Sequence, residues 1–173
     1  KLFGTDGVRG VANRDLTVEL AVRLGRAATV WFRRTTGVAQ PRFVVGRDPR
    51  LSGGMLDAAL AAGICSAGGS VERAGVMPTP AVAILTRELA AQAGVVISAS
   101  HNPMEDNGIK FFDGDGHKLS DEQERDLEVI VFDEATAMPA PEGAAVGACR
   151  DLSDAVERYC AAVKATLPAG RPL

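Results

Sequence analysis

Ser100, His101 and Asn102 stand consecutively in the chain and are stopped by Pro103. They follow a short apolar run, Gly94 to Ser98, of the kind that forms a buried strand in a parallel sheet. Pro103 fixes its own backbone and biases Asn102 away from the helical region. A serine held at the end of a central strand suits a nucleophile or a phosphate carrier. Read alone, the same segment is better explained as a polar turn with local side-chain caps. A serine hydrolase does not fit, because the flanks are not Gly-x-Ser-x-Gly. His101 also adjoins Ser100 and would point away from it in an extended segment, and the only other histidine is His117.

Other segments offer complementary groups. Asn107-Gly108 can turn the chain back, which would let Lys110 approach Ser100. A lysine beside a reacting or phosphorylated hydroxyl can neutralise charge or move a proton. Taken singly, Lys110 is an ordinary solvated strand lysine. The N-terminal Gly4-Thr5-Asp6-Gly7-Val8-Arg9-Gly10 is neither Gly-x-Gly-x-x-Gly nor a Walker A loop. Its glycines permit close backbone approach, and Arg9 offers a bidentate phosphate donor. The alternative is a tight N-terminal hairpin with an exposed arginine. Asp113-Gly114-Asp115-Gly116-His117 resembles the start of an EF-hand. His117 and Lys118 occupy its fifth and sixth positions, where Asp or Asn and then Gly are required, so an Asp-Gly turn is the better reading.

Composition narrows the function classes. The chain has 173 residues, 46% of them hydrophobic, enough for a core without staples. Lys plus Arg is 19 against 22 for Asp plus Glu, a net charge of -3, and aromatic content is 5%. Neither a basic stripe for nucleic acid or anionic membrane nor a base-stacking platform is present. Cys65, Cys149 and Cys160 form no Cys-x-x-Cys pair, which argues for reduced thiols in a cytoplasm and against structural zinc. The chain opens without an apolar signal segment, and no apolar run approaches the roughly 20 residues that span a bilayer.

The elements that must position these groups alternate between strand and helix. Helical spacing and Gly37 predict a helix over Thr17–Thr36, then a strand over Arg42–Arg47. A helix over Ser52–Ala67 follows, ended by Gly68-Gly69, then a strand over Ser70–Val76. Pro78 and Pro80 mark a third helix carrying Val82, Leu85 and Leu89. Strands over Gly94–Ser98 and Ile109–Phe112 come next. The capping box Ser120-Asp121-Glu122-Gln123 starts a helix that buries Leu127, Ile130 and Val131. Pro139–Gly147 reads as a surface loop. A final helix over Ser153–Leu167 aligns Val156, Tyr159, Cys160, Val163 and Leu167. The expected fold is a three-layer αβα domain. Its mainly parallel mixed sheet would have about four strands, with helices on both faces. Ligands in such folds meet the loops at the carboxyl ends of the strands. Here those are Arg47–Arg50, Met77–Pro80 and Ser98–Pro103.

Four segments in order resemble the α-D-phosphohexomutase family. They are Phe3-Gly4-Thr5-Asp6-Gly7-Val8-Arg9-Gly10, Gly46-Arg47-Asp48-Pro49-Arg50-Leu51-Ser52-Gly53, Ala99-Ser100-His101-Asn102-Pro103 and Asn107-Gly108-Ile109-Lys110-Phe111-Phe112. The resemblance covers Leu2 to about Leu127, and the first and last segments look most like its bacterial glucosamine-phosphate branch. It implies that Ser100 is the phosphoserine that gives its phosphoryl group to a hexosamine phosphate and recovers another from a bisphosphorylated sugar. It also implies that Lys110 is the general acid/base. Arg9 and His101 would flank the phosphate, and Asn102 and Arg47 would support the loop. Mg²⁺ would bind through the Ser100 phosphate, with its remaining ligands in a second domain. Family members have four domains, so residues 1–173 would be the first, inactive unaided, with the missing domains of its own chain and a homodimer as partners. Two alternatives stay open: the same domain from a phosphomannomutase or phosphoglucomutase, and a phosphate-binding or interaction domain without chemistry of its own.

Overall fold

The computed structural model describes residues 1–133 and 138–167; residues 168–173 of the expected domain lie outside that range. Six strands and five α-helices follow one another among the described residues. They are β1 (Val8–Val11), α1 (Val18–Thr36), β2 (Arg42–Arg47), α2 (Leu51–Ser66), β3 (Ser70–Val76), α3 (Thr79–Glu88), β4 (Ala93–Ile97), β5 (Asp106–Asp113), α4 (Asp121–Phe132), β6 (Cys149–Asp151) and α5 (Ala155–Ala165). The helix ends follow local chemistry. Thr17 caps α1 by accepting from the Leu20 N–H, and Gly37 ends it at φ 73°. The Ser120–Gln123 capping box opens α4.

One sheet runs β1-β5-β4-β2-β3-β6. The pairs β2–β3, β2–β4 and β3–β6 are parallel, whereas β5 is antiparallel to both β1 and β4. Alternation along the strands sends side chains to two cores. Phe43, Val45, Val95, Ile97 and Phe111 pack with α1, α2 and α4. Val44, Val96 and Phe112 pack with Val82 and Leu85 of α3 and with Ala155 of α5. The three-layer αβα architecture therefore stands, with helices on both faces.

Three expectations need correction. The sheet has six strands, not four. β1, Val-Arg-Gly-Val, contains a strand-weakening glycine, and β6, Cys-Arg-Asp, is fully exposed, so neither carries an apolar alternation; both are edges. The second concerns Asn107-Gly108, which does not turn the chain. The two residues lie inside β5, paired with Gly10 and Arg9, and the reversal occurs over Ser98–Glu105. The third concerns α5, whose aligned apolar residues are not its buried face. Val156, Val163 and Leu167 are exposed, and Ala155 is the helix's buried residue. Among the described residues no helix is long and apolar enough to cross a membrane, and Cys65, Cys149 and Cys160 are unpaired thiols.

Candidate functional site

Ser100 leaves the carboxyl end of β4 with φ 56°, a left-handed backbone that a non-glycine residue adopts only when held there. Its side chain is exposed, with Oγ 3.4 Å from His101 Nδ1. Both of its main-chain groups are fastened. The Ser100 N–H donates to Ser98 Oγ at 3.0 Å, and the Ser100 carbonyl accepts from Arg50 Nη2 at 2.9 Å. Ser98 Oγ in turn donates to Asp48 Oδ2 at 2.7 Å, and Arg50 Nε donates to the same oxygen at 2.9 Å. The turn after β2 thus clamps the turn after β4. Parallel pairing brings them together, with Arg47 opposite Ile97.

Asn102 belongs to this framework. Its Nδ2 donates to Asp106 Oδ2 at 2.9 Å, and its carbonyl accepts from Arg50. Asn107, fully buried, donates to Ser52 Oγ at 2.9 Å and ties β5 to the first turn of α2.

A second group of charges faces Ser100 from the other side. Asp6 Oδ1 accepts from Lys110 Nζ and Asp6 Oδ2 from Arg9 Nη2, each at 2.9 Å. Asp6, Arg9, Lys110, Ser98 and Ser100 line one crevice, together with Thr79 and Val96. Two glycines make this approach possible. A Cβ on Gly7, at φ 86°, would stand 2.4 Å from the Ile109 carbonyl oxygen. One on Gly108 would stand 2.7 Å from the Ser98 carbonyl oxygen and 3.0 Å from Arg9 Cγ. The hydrogen bond and charge of Lys110 hold the Asp6 carboxyl below the usual carboxylate range.

The structure therefore brings Ser100, Arg9 and Lys110 to one crevice, sets His101 beside Ser100, places Asn102 in the clamp of the turn, and leaves Arg47 aside. Arg47 donates to the Asp48 carbonyl at 3.3 Å and runs along α2 at Gly53, where its charge acts on Asp57. Asp6, Asp48, Arg50 and Ser98 are the residues that sequence reasoning passed over. The Asp-Pro-Arg turn was a usable signal, because an aspartate two residues before an arginine can fix the guanidinium in place.

Asp113, Asp115 and His117 gather ligand atoms within 4.8 Å of one another. Asp113 Oδ1 is already engaged by the N–H groups of Asp115 and His117, at 3.0 and 2.9 Å, as an Asp-Gly turn requires. Asp113 pairs with Ala93 at the start of β4, whereas Ser100 follows its end. At roughly 3.3 Å per strand residue, that turn is far from Ser100.

The clamp carries its own pH dependence. Burial raises the Asp48 carboxyl, but the hydrogen bonds from Ser98 and from Arg50, with the Arg50 charge, outweigh it and hold the group below its ordinary 3.8. A carboxyl depressed in the fold stabilises it above its unfolded value, and that contribution is lost as pH falls through the folded one. Acid unfolding monitored below about pH 4 should be steeper in the parent than in Asp48→Asn; identical slopes would contradict the assignment.

Comparison with known proteins gives a consistent result. The chain is 60% identical over 159 residues to a phosphoglucosamine mutase of Pelotomaculum thermopropionicum, covering 91% of this chain and 35% of the relative. It is also 60% identical over 168 residues to a phosphoglucosamine mutase of Carboxydothermus hydrogenoformans, covering 96% and 37%. The chain thus spans little more than a third of the length of these curated relatives. A crystal structure of a phosphoglucomutase/phosphomannomutase family protein from Burkholderia thailandensis superposes with a TM-score of 0.82. It is 28% identical, covering 99% of this chain and 37% of that one. Residues 1–138 match the family model described as phosphoglucomutase/phosphomannomutase, alpha/beta/alpha domain I, and so take in every group of the crevice. With four-fifths of its residues matching that model and 60% identity to these relatives, the chain belongs to the phosphoglucomutase/phosphomannomutase family.

Proposed function

We propose that the chain is the phosphoserine-bearing first domain of an enzyme that interconverts glucosamine 6-phosphate and glucosamine 1-phosphate. One observation carries the chemistry: an exposed serine on a fixed left-handed turn shares a crevice with Lys110 and Arg9. Phosphorylation of Ser100 would add about -1.5 to -2 charge, which these cations offset. Transfer breaks the Ser100 Oγ–P bond and forms a new O–P bond on a sugar hydroxyl. In its neutral form Lys110 takes the hydroxyl proton, and as the ammonium it returns one in the reverse step. His101 Nδ1 stands beside the oxygen that carries the phosphoryl group. The catalysis asked of the site is mainly positioning and charge stabilisation. The choice of sugar rests on the two relatives at 60% identity.

A divalent cation fits this chain in one way. Asp6 and Asp48, the carboxylates beside Ser100, are committed to Lys110, Arg9, Arg50 and Ser98. Mg²⁺ would therefore be held here through a phosphoryl oxygen on Ser100, completing its oxygen shell from another domain, and would neutralise charge there. Cytoplasmic location, a homodimer, and dependence on further domains belong to the same reading. The isolated 173-residue chain is accordingly expected to show no mutase turnover.

Phosphopeptide mapping of the full-length protein from cells tests the reading, followed by assay with glucosamine, mannose and glucose phosphates. Phosphate on Ser100 and preference for glucosamine phosphate are expected. A preference for mannose or glucose phosphate would reassign the sugar. An unmodified Ser100 with unchanged activity in Ser100→Ala would leave a non-catalytic phosphate-binding domain. Lys110, with 22% of its side chain exposed, makes its ion pair at the crevice rim. Lys110→Ala is expected to slow transfer by about 10²–10⁴-fold and to shift the melting temperature little. Proportionate losses of rate and stability would contradict its role.

A further inference from the structure

We propose that Arg50, fixed by Asp48, is a positioning residue for Ser100 and not a phosphate ligand; the proposal rests on the reading of Ser100 as the phosphoryl carrier. An arginine beside a phosphate-carrying serine ordinarily invites assignment as a phosphate donor. The geometry here excludes it. A guanidinium has five N–H donors. Arg50 Nε donates to Asp48 Oδ2. Its Nη1 donates to the carbonyls of Pro103 and Asp106, and its Nη2 donates to those of Ser100 and Asn102. All five are spent on one carboxylate and four backbone carbonyls, and the side chain is 11% exposed. Nothing remains to point at a phosphoryl oxygen.

The acceptors are what matters. Four carbonyls of the Ser100–Asp106 turn converge on one planar group, so the turn's shape is copied from the guanidinium. The carboxylate that orients Arg50 also receives Ser98 Oγ, whose lone pair holds the Ser100 N–H. Asp48 and Arg50 therefore reach Ser100 from its amide side and its carbonyl side together. A left-handed non-glycine residue costs roughly 1–2 kcal/mol, and these bonds are what retain it. Lysine cannot substitute, since an ammonium has three tetrahedral donors and no plane.

The test uses the full-length protein, with Arg50→Lys, Arg50→Met, Ser98→Ala and Ser100→Ala, each assayed for kcat and KM on glucosamine 6-phosphate and for thermal unfolding. A misplacement of about 1 Å can cost about 100-fold in rate. Arg50→Lys should therefore lose about that much kcat, no less than Arg50→Met, while KM changes by under about 3-fold. A lysine variant with near-parental kcat overturns the proposal. So does a raised KM at preserved kcat, which would make Arg50 a substrate ligand. If the Arg50 variants fail to fold, Ser98→Ala decides. It keeps both charges and removes the hydroxyl that joins Asp48 to the Ser100 amide. A fall of about 10-fold in kcat supports the proposal and an unchanged kcat overturns it. Ser100→Ala separates the two levels: activity there overturns the phosphoryl-carrier reading itself, while its loss beside an active Arg50→Lys overturns the positioning role alone.

Discussion

Ser100→Gly is expected to abolish phosphoryl transfer in the full-length protein while leaving it at least as stable as Ser100→Ala. Loss of the nucleophilic oxygen removes the group on which the phosphoryl is carried, and rate losses of about 10⁴-fold or more follow from such deletions. Stability should move separately. Ser100 sits at φ 56°, a conformation that costs a residue with a Cβ roughly 1–2 kcal/mol and costs glycine nothing. Against this, glycine's greater freedom in the unfolded chain costs about 0.5–1 kcal/mol. Alanine keeps the strain and gains nothing, because the Ser100 side chain is exposed and only loosely placed against His101. The glycine variant should therefore unfold at higher denaturant than the alanine variant by about 1 kcal/mol, both being inactive. A glycine variant less stable than the alanine variant by about 0.5–1 kcal/mol would mean that the left-handed turn is not strained in the folded protein. Retained turnover in either variant would remove Ser100 from the chemistry.

This pairing of strain with function explains what the sequence could and could not disclose. The strands and helices that bury apolar side chains were legible: β2 and β3 lie within the expected limits, α1 and α2 within a residue or so, and α4 starts at the expected capping box. Their periodicity is a record of burial. β1 and β6 bury little, so their membership in the sheet is written in pairing partners far away in sequence, which periodicity cannot register. Asn107 misled for the opposite reason. Asn-Gly is a turn dipeptide by local preference, yet here the amide is buried against Ser52 and the glycine makes room for Arg9. At the site, the groups proposed to meet substrate were readable by type: Ser100, Lys110 and Arg9. The groups that hold them were not. Asp6, Asp48 and Arg50 act through hydrogen-bond partners that local pattern does not reveal: the carbonyls that accept from Arg50 lie 50 or more residues away, and Lys110, which donates to Asp6, lies 104 away. Arg47 and Arg50 are alike in the sequence, and only the fold sends one along α2 and the other into the serine turn.

Gly63→Ala is expected to be the most damaging single-methyl change in α2, and Gly54→Ala in the same helix to be harmless or helpful. Both residues lie in the interior of the same helix, Leu51–Ser66, so replacing either gains the same intrinsic preference, about 0.8–1 kcal/mol. Their surroundings are opposite. A Cβ at Gly54 meets nothing within 4 Å. A Cβ at Gly63 would stand 2.2 Å from the Val22 carbonyl oxygen of α1, and the reciprocal Cβ at Gly25 of α1 would stand 2.4 Å from the Leu60 carbonyl oxygen of α2. Both obstacles are helical backbone, so no rotamer change relieves them; the helices must separate. Leu24 and Ala28 of α1 and Leu56, Leu60 and Ile64 of α2 are all buried in the core these helices share, and parting the helices leaves them underpacked. Overpacking of this kind costs about 3 kcal/mol, against a total stability on the order of 5–15 kcal/mol for a domain. With equal propensity gains, the difference between the two variants in urea unfolding isolates the contact, at about 3 kcal/mol. The Ser100 turn should feel it too, since α2 begins one residue after Arg50 and its first turn holds Asn107 through Ser52. Two variants that unfold together would show that α1 and α2 do not pack backbone to backbone.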